Sequence, residues 1–314
     1  MKRYSLMKLR KQKSFLISLI LIFLLSLGVT ISEYCGGVPW RGVSKTLGIS
    51  DFSAQADSFN MAVHFIDVGK ADSIYIKCND KNILIDAGEK NTFNLVNEYL
   101  EKQNVKNLDL VIATHPHSDH IGGMPAIINE FNISKFIMPE LNIEDISTAH
   151  SYEKLLRAIK SKSLNVEKPS PGSEFKLGDL TIQTLAPIKQ YEGINNNSVV
   201  VKVTYKDQRF LFTGDAEKES EIDMISFNPD LSADVLKVGH HGSKTSSSSV
   251  FLAKVNPTYA VICVGEDRYN LPKKAIVDRL KNRGIKIFRT DINGTVILAT
   301  NGEYITAFTE KEGA

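Results

Sequence analysis

Within six positions, His115, His117, Asp119 and His120 gather three imidazoles and a carboxylate on the segment Thr114-His115-Pro116-His117-Ser118-Asp119-His120-Ile121-Gly122-Gly123. Neutral imidazole nitrogens and carboxylate oxygens hold borderline-soft divalent ions, with zinc the first candidate and manganese the second. The segment carries three of the chain's seven histidines, a concentration that favours a metal site over a hydrogen-bonded turn.

Similar groups recur further along. Asp86 interrupts Leu84-Ile85-Asp86-Ala87-Gly88, Asp215 follows Phe210-Leu211-Phe212-Thr213-Gly214, and His240-His241 follow Leu236-Lys237-Val238-Gly239. Each comes where an apolar run ends, and strand ends are where distant loops converge. Asp215 and one of His240 and His241 would complete a two-metal site, with Asp215 the bridge because a carboxylate has two oxygens. Simpler readings compete: Asp86 as a turn residue, Asp215 as a cap for a helix starting near Glu217, and His240-His241-Gly242-Ser243 as a structural turn.

Water activated by one or two divalent ions is the expected nucleophile. Asp119 and Asp215 are candidates to orient it while also ligating. Spacing does not separate the two adjacent histidines. His241 is taken as the ligand and His240 as the catalytic donor toward a phosphate or leaving oxygen, in an almost even choice. Asn197, Ser243 and Lys244 are candidate substrate contacts.

The elements that must position these groups follow from apolar periodicity. Strands are predicted at 61–69, 73–78, 82–88, 108–113, 135–138, 198–205, 209–213, 233–238, 259–264, 285–289, 295–300 and 304–308. A hairpin turning at Gly178-Asp179 is predicted within 177–185. Helices are predicted at 93–103, 124–131, 152–161, 217–227, 247–254 and 273–283. On the strand 108–113, His115 and His117 continue an alternation that puts both on one side. Many strands with helices at intervals indicate a layered α/β domain. The two halves look alike in plan, although no repeated motif is strong enough to prove duplication.

The N-terminus is different in kind. Lys2, Arg3, Lys8, Arg10, Lys11 and Lys13 precede the 17-residue, mostly apolar run Phe15–Ile31. As a helix that run would cover about 25 Å, within the range of a membrane span. No Ala-x-Ala pattern follows, so residues 1–34 read as an uncleaved anchor with its basic end cytoplasmic. Secretion after signal cleavage is the alternative. Residues 35–60, rich in glycine and serine, read as a linker, and 61–314 as a metallohydrolase domain outside the cell. Of the 38 Lys+Arg and 36 Asp+Glu, removing the six N-terminal cations leaves a balance of −4, so a globally basic nucleic-acid surface is not indicated. Cys35, Cys78 and Cys263 are too few and too far apart for a disulfide framework.

Residues 61–308 resemble the metallo-β-lactamase-fold hydrolases, and more narrowly the extracytoplasmic domain of the ComEC family of DNA-uptake proteins and its stand-alone relatives. The resemblance is carried by Phe65-Ile66-Asp67-Val68-Gly69-Lys70-Ala71-Asp72-Ser73, Leu84–Gly88, His115–His120, Asn197-Ser198, Thr213-Gly214-Asp215 and His240–Ser243. Lys70-Ala71 stand where Gln-Gly is common. The resemblance implies a four-layer αββα sandwich with its site at one edge of two sheets. It also implies one ion on His115 and His117, another on Asp119 and His120, and Asp215 between them. The histidine often found before the bridging carboxylate is replaced by the Asn196-Asn197-Ser198 region, leaving the first ion to be completed by water or an amide oxygen.

The expected activity is hydrolysis of a phosphodiester in DNA, a nucleotide or phosphorylated envelope material. A lactone, thioester or β-lactam hydrolase is the first alternative. The second is a membrane-tethered binding module that uses metal for stability.

Overall fold

The computed structural model describes residues 52–139, 149–227, 230–266 and 268–312. The chain divides into two units, Met1–Gln55 and Ala56–Ala314. The basic cluster, Phe15–Ile31 and residues 35–51 of the expected linker, Cys35 among them, lie outside the described residues. Among the described residues no helix is long and apolar enough to cross a membrane. A short helix, Phe52–Ala56, occupies the end of the stretch expected to be irregular.

In the second unit the first sheet is built from β1 Met61–Phe65, β2 Ser73–Cys78, β3 Lys81–Ala87, β4 Leu110–Ile112, β5 Phe136–Ile137 and β6 Val166–Glu167. The second contains β7 Glu174–Leu177, β8 Leu180–Ala186, β9 Val200–Tyr205, β10 Gln208–Phe212, β11 Val235–Lys237, β12 Tyr259–Ile262 and β13 Lys286–Arg289. The chain then returns to the first sheet with β14 Val296–Thr300 and β15 Ile305–Thr309, giving the orders β15-β14-β1-β2-β3-β4-β5-β6 and β13-β12-β11-β10-β9-β8-β7.

Period-2 alternation explains the layering. Val63, Phe65, Ile83, Ile85, Leu110 and Ile112 of the first sheet pack between the sheets against Val201, Val203, Phe210 and Phe212 of the second. Phe65 and Phe212 meet with ring centroids 6.3 Å apart, and each buried ring contributes roughly 1.5–3 kcal/mol. The intervening residues face outward and are covered by helices. Leu84 and Val111 lie under α1 Phe93–Lys102, α3 Met124–Glu130 and α4 Ala149–Ser161, α2 being the single turn Ser118–Ile121. Val200, Leu211 and Leu236 lie under α5 Lys218–Ser226, α6 Ser249–Val255 and α7 Lys274–Lys281. The fold is a four-layer αββα sandwich.

Two local features shape the loops. The first strand ends at Phe65 rather than Gly69, because the Gly69 amide donates to Asp67 Oδ1 (3.2 Å) and Gly69 takes φ +74°. The hairpin forms as predicted: Leu177 pairs with Leu180 around Gly178-Asp179, with Gly178 at φ +58°. Cys78 and Cys263 are free and buried.

Candidate metal centre

The parallel strands β3 and β4, and β10 and β11, end at the same edge of the sandwich and deliver the functional loops there. After β4 the chain passes through His115 and His117 into the α2 turn, which carries Asp119 and His120. This turn fits only because glycines follow it. A Cβ on Gly123 would sit 2.2 Å from the Ala87 carbonyl oxygen, and one on Gly122 would sit 2.6 Å from the Lys90 nitrogen. The second half docks on the same loop: the Val199 amide donates to the Thr114 carbonyl (2.9 Å), and Gly214, at φ +50°, lies against Thr114.

Asp215 Oδ2 is the centre of the arrangement. The Nε2 atoms of His120, His241, His115 and His240 lie 3.4, 3.7, 3.8 and 3.8 Å from it. His115 Nε2 is 2.9 Å from His117 Nδ1, and His241 Nε2 is 3.5 Å from Asp119 Oδ2. Donor atoms of His115, His120 and Asp215, and of Asp119, His120 and His241, each fall within 4.8 Å of one another.

Other groups fix which nitrogen faces inward. His120 Nδ1–H donates to Asp86 Oδ2 (2.7 Å), while Asp86 also accepts from the Thr114 amide (2.8 Å) and hydroxyl (2.7 Å). His241 Nδ1–H donates to the Cys263 carbonyl (2.9 Å). Such partners orient an imidazole and leave Nε2 for a cation. Asp86 is therefore an orienting residue, held at φ +58°, and not simply a turn. His240 and His241 also have left-handed backbones, φ +48° and +50°, which cost roughly 1–2 kcal/mol each in non-glycine residues. Asp215 does not cap α5; the Glu217 and Ser220 amides donate instead to Asn196 Oδ1 (3.1 and 3.3 Å).

The electrostatics divide the histidines. Burial, reinforced by His120, holds the His115 imidazole well below its ordinary value. Burial also opposes charge on His120 and His241, but the Asp215 and Asp86 carboxylates raise His120 well above it. Asp215 and Asp72 push His241 up to about 10. Asp215 is lowered despite burial by His120 and His241, and Asp119, likewise despite burial, by the neighbouring His241 and His120 imidazoles.

The donors fit divalent cations. His120 Nε2 and His241 Nε2 are buried without hydrogen-bond partners, at a cost of roughly 1–3 kcal/mol each unless something binds them. His115, His117 and Asp215 would hold one ion, and Asp119, His120, His241 and Asp215 the other.

Some expected residues lie elsewhere. Asn197, taken above as a substrate contact, is buried in its own loop, where its amide donates to the Tyr191 and Gly193 carbonyls (2.8 and 3.0 Å) and accepts from the Tyr191 amide (3.0 Å). With Asn196 Oδ1 also engaged, neither amide oxygen is left to complete the first ion. Asn195 reaches the rim instead, donating to Glu217 Oε1 (3.2 Å). Ser243 Oγ is 3.1 Å from Thr245 Oγ1, and Lys244 is exposed just beyond His241. His240 is partly exposed, with Nδ1 3.1 Å from both Glu217 Oε1 and Thr245 Oγ1.

Sequence reasoning passed over two residues. Asp72 is buried, forms an ion pair with the fully buried Lys237, and lies 3.4 Å from His241 Nδ1. Burial works against the Lys237 charge, but Asp72 and Asp215 raise its affinity for the proton. A lysine in an otherwise apolar strand was the available signal.

Comparison with known proteins agrees with this geometry. Residues 66–266 match the profile of the metallo-beta-lactamase superfamily. The chain belongs to that superfamily. Among curated proteins it is similar to ComE operon protein 3 of Bacillus subtilis, 30% identical over 254 residues covering 74% of this chain and 32% of that protein. It is also similar to competence protein ComA of Neisseria gonorrhoeae, 28% identical over 82% of this chain and 35% of that one. The chain thus spans about a third of the length of these relatives.

The fold is shared with the metallo-beta-lactamase fold protein YhfI of Bacillus subtilis, with a TM-score of 0.53 at 13% identity over 76% of this chain and 98% of that one. It is shared too with CmlA, a diiron β-hydroxylase from Streptomyces venezuelae, with a TM-score of 0.52 at 11% identity over 77% and 54%. A metallo-beta-lactamase sandwich therefore does not by itself fix the reaction.

Proposed function

We propose that this protein is a metal-dependent phosphodiesterase acting on DNA, a nucleotide or phosphorylated envelope material outside the cytoplasm, with Zn²⁺ as working metal and Mn²⁺ as substitute. The observation that carries the reading is the convergence of four imidazole Nε2 atoms on Asp215 Oδ2, with a partly exposed His240 at the rim. A pair of divalent ions held there supplies Lewis acidity toward a water nucleophile and toward the phosphoryl oxygens of an in-line displacement.

The chain's own residues account for the rest. Asp119 accepts a hydrogen bond from the attacking water and fixes its direction, while Asp215 Oδ2 anchors the cations. Glu217, lowered below its ordinary range first by its hydrogen bond with His240, accepts from His240 Nδ1–H. That contact aims Nε2 at the site, where its proton can pass to the leaving oxygen. The resemblance of residues 61–308 to the ComEC family of DNA-uptake proteins supports a nucleic-acid substrate. The basic cluster followed by Phe15–Ile31 supports a membrane tether with the catalytic unit outside.

The test is turnover by the purified full chain, loaded with Zn²⁺ or Mn²⁺, on bis-p-nitrophenyl phosphate and single-stranded DNA. A lactone, a thioester and a β-lactam run in parallel. Metal-dependent cleavage of the phosphodiesters is expected; turnover only of the acyl substrates would sink the reading. Protease added to intact cells should digest the catalytic unit, and complete protection would contradict the external placement.

A further inference from the structure

Val201 and Val203 on β9 and Phe210 and Phe212 on β10 fill the space between the sheets, and Val235 on β11 joins them. Two positions after Val235, on the same face by strand periodicity, stands Lys237. It is fully buried. A buried ammonium persists only when paired and hydrogen-bonded, and the partners here belong to the metal centre. Nζ contacts Asp72 Oδ2, donates to the Gly214 carbonyl (3.1 Å) and lies 3.8 Å from Asp215 Oδ1.

The two oxygens of Asp215 therefore have different surroundings. Oδ2 faces four imidazoles, whereas Oδ1 is buried, has no hydrogen-bond partner and faces Lys237. Behind them Asp72, Asp86 and His120 make a third group of donors within 4.8 Å of one another. There the cation is already part of the chain, since Lys237 occupies Asp72.

We propose that Lys237 is a positioning residue of the metal centre: its ammonium is a built-in cation that holds Asp72 and Asp215 Oδ1, so that Asp215 presents the single oxygen Oδ2 to both exchangeable ions. The reading of Asp215 as a bridge through both its oxygens is thereby narrowed to one. The inner donor group is closed to a third exchangeable ion. The proposal concerns cation binding and stands whichever bond the site cleaves.

A crystal structure of the full wild-type chain loaded with Mn²⁺ tests it directly. Both ions on Oδ2, with Oδ1 within hydrogen-bond distance of Lys237 Nζ, is the expected result; one oxygen on each ion would overturn it. A solution test uses Asp72→Asn/Lys237→Met, which removes both charges and so leaves no uncompensated buried ion. Titration of this variant with Co²⁺ should give a ligand-field spectrum unlike the parent's and a second ion bound at least ~10-fold more weakly. Parent-like affinity for two ions with an unchanged spectrum would reduce the pair to packing. Neither experiment reads turnover, so failure of the phosphodiesterase reading and failure of this one are separable.

Discussion

Strands β1–β6 and β8–β13 lie in the same order within their sheets, two antiparallel pairings followed by three parallel ones. Each half delivers a carboxylate at the end of its third strand and histidines after its fourth. The equivalence ends at the side chains. Asp86 has its oxygens committed to Thr114 and His120, whereas Asp215 keeps Oδ1 without a partner and turns Oδ2 to four imidazoles. The same position in the plan thus serves in one half to orient a ligand and in the other to be one.

That division is most exposed by substituting the two carboxylates. Asp215→Ala should lose more activity and metal than Asp86→Ala, for which about 10–100-fold is expected of an orienting partner. Metal content and turnover measured on both variants check this, and equal losses would erase the distinction between the halves.

The pH dependence sharpens it further. His241 is pushed up to about 10, so the metal-free site carries its proton through neutral pH and must release it to bind a cation. Calorimetry in buffers of different ionisation enthalpy should show proton release, with metal affinity rising with pH up to about 10. Because the native pKa lies above the unfolded value of 6.5, metal-free protein should lose stability as pH rises from 6.5 to about 10. His64 in the first sheet behaves oppositely: burial, then Lys77, pushes it down to about 3. Its contribution to stability should vanish as pH falls from 6.5 toward 3, and His64→Gln should flatten that acid limb in denaturant titrations.

Smaller effects are expected at the glycines where each half meets the site. Gly123→Ala and Gly214→Ala should each cost about 1–3 kcal/mol by overpacking, with Gly214→Ala adding the strain of φ +50°. Urea midpoints compare them. Least of all, Lys244→Ala should leave stability within about 0.5 kcal/mol while raising KM for polyanionic substrates only. A KM change on neutral esters would show that Lys244 does more than attract charge.

The first half was the more legible in sequence, for a physical reason. His115, His117, Asp119 and His120 are local, so one strand and one turn suffice to gather them. Asp215, His240 and His241 show only as polar groups at the ends of apolar runs, and what assembles them is a parallel pairing of β10 with β11 that no local pattern states. Short apolar runs also gave nearly every strand, since both sheets bury one face in a common core and the other under helices. Orientation was harder to read. Asn197 sits beside the site in sequence, yet its amide closes its own loop. Lys237 was passed over as part of an apolar strand because its partners, Asp72 and Asp215, come from distant loops.

Strand β1, the first of the folded unit, pairs on one side with β2 and on the other with β14, Met61 opposite Thr300. During synthesis, that second side waits for more than two hundred residues to be made. Until then β1 is a bare edge able to recruit a strand from another molecule. A chain cut short before β14 would carry every cation ligand and still lack the strand that seals its first sheet, so premature termination should yield aggregates rather than a weaker enzyme.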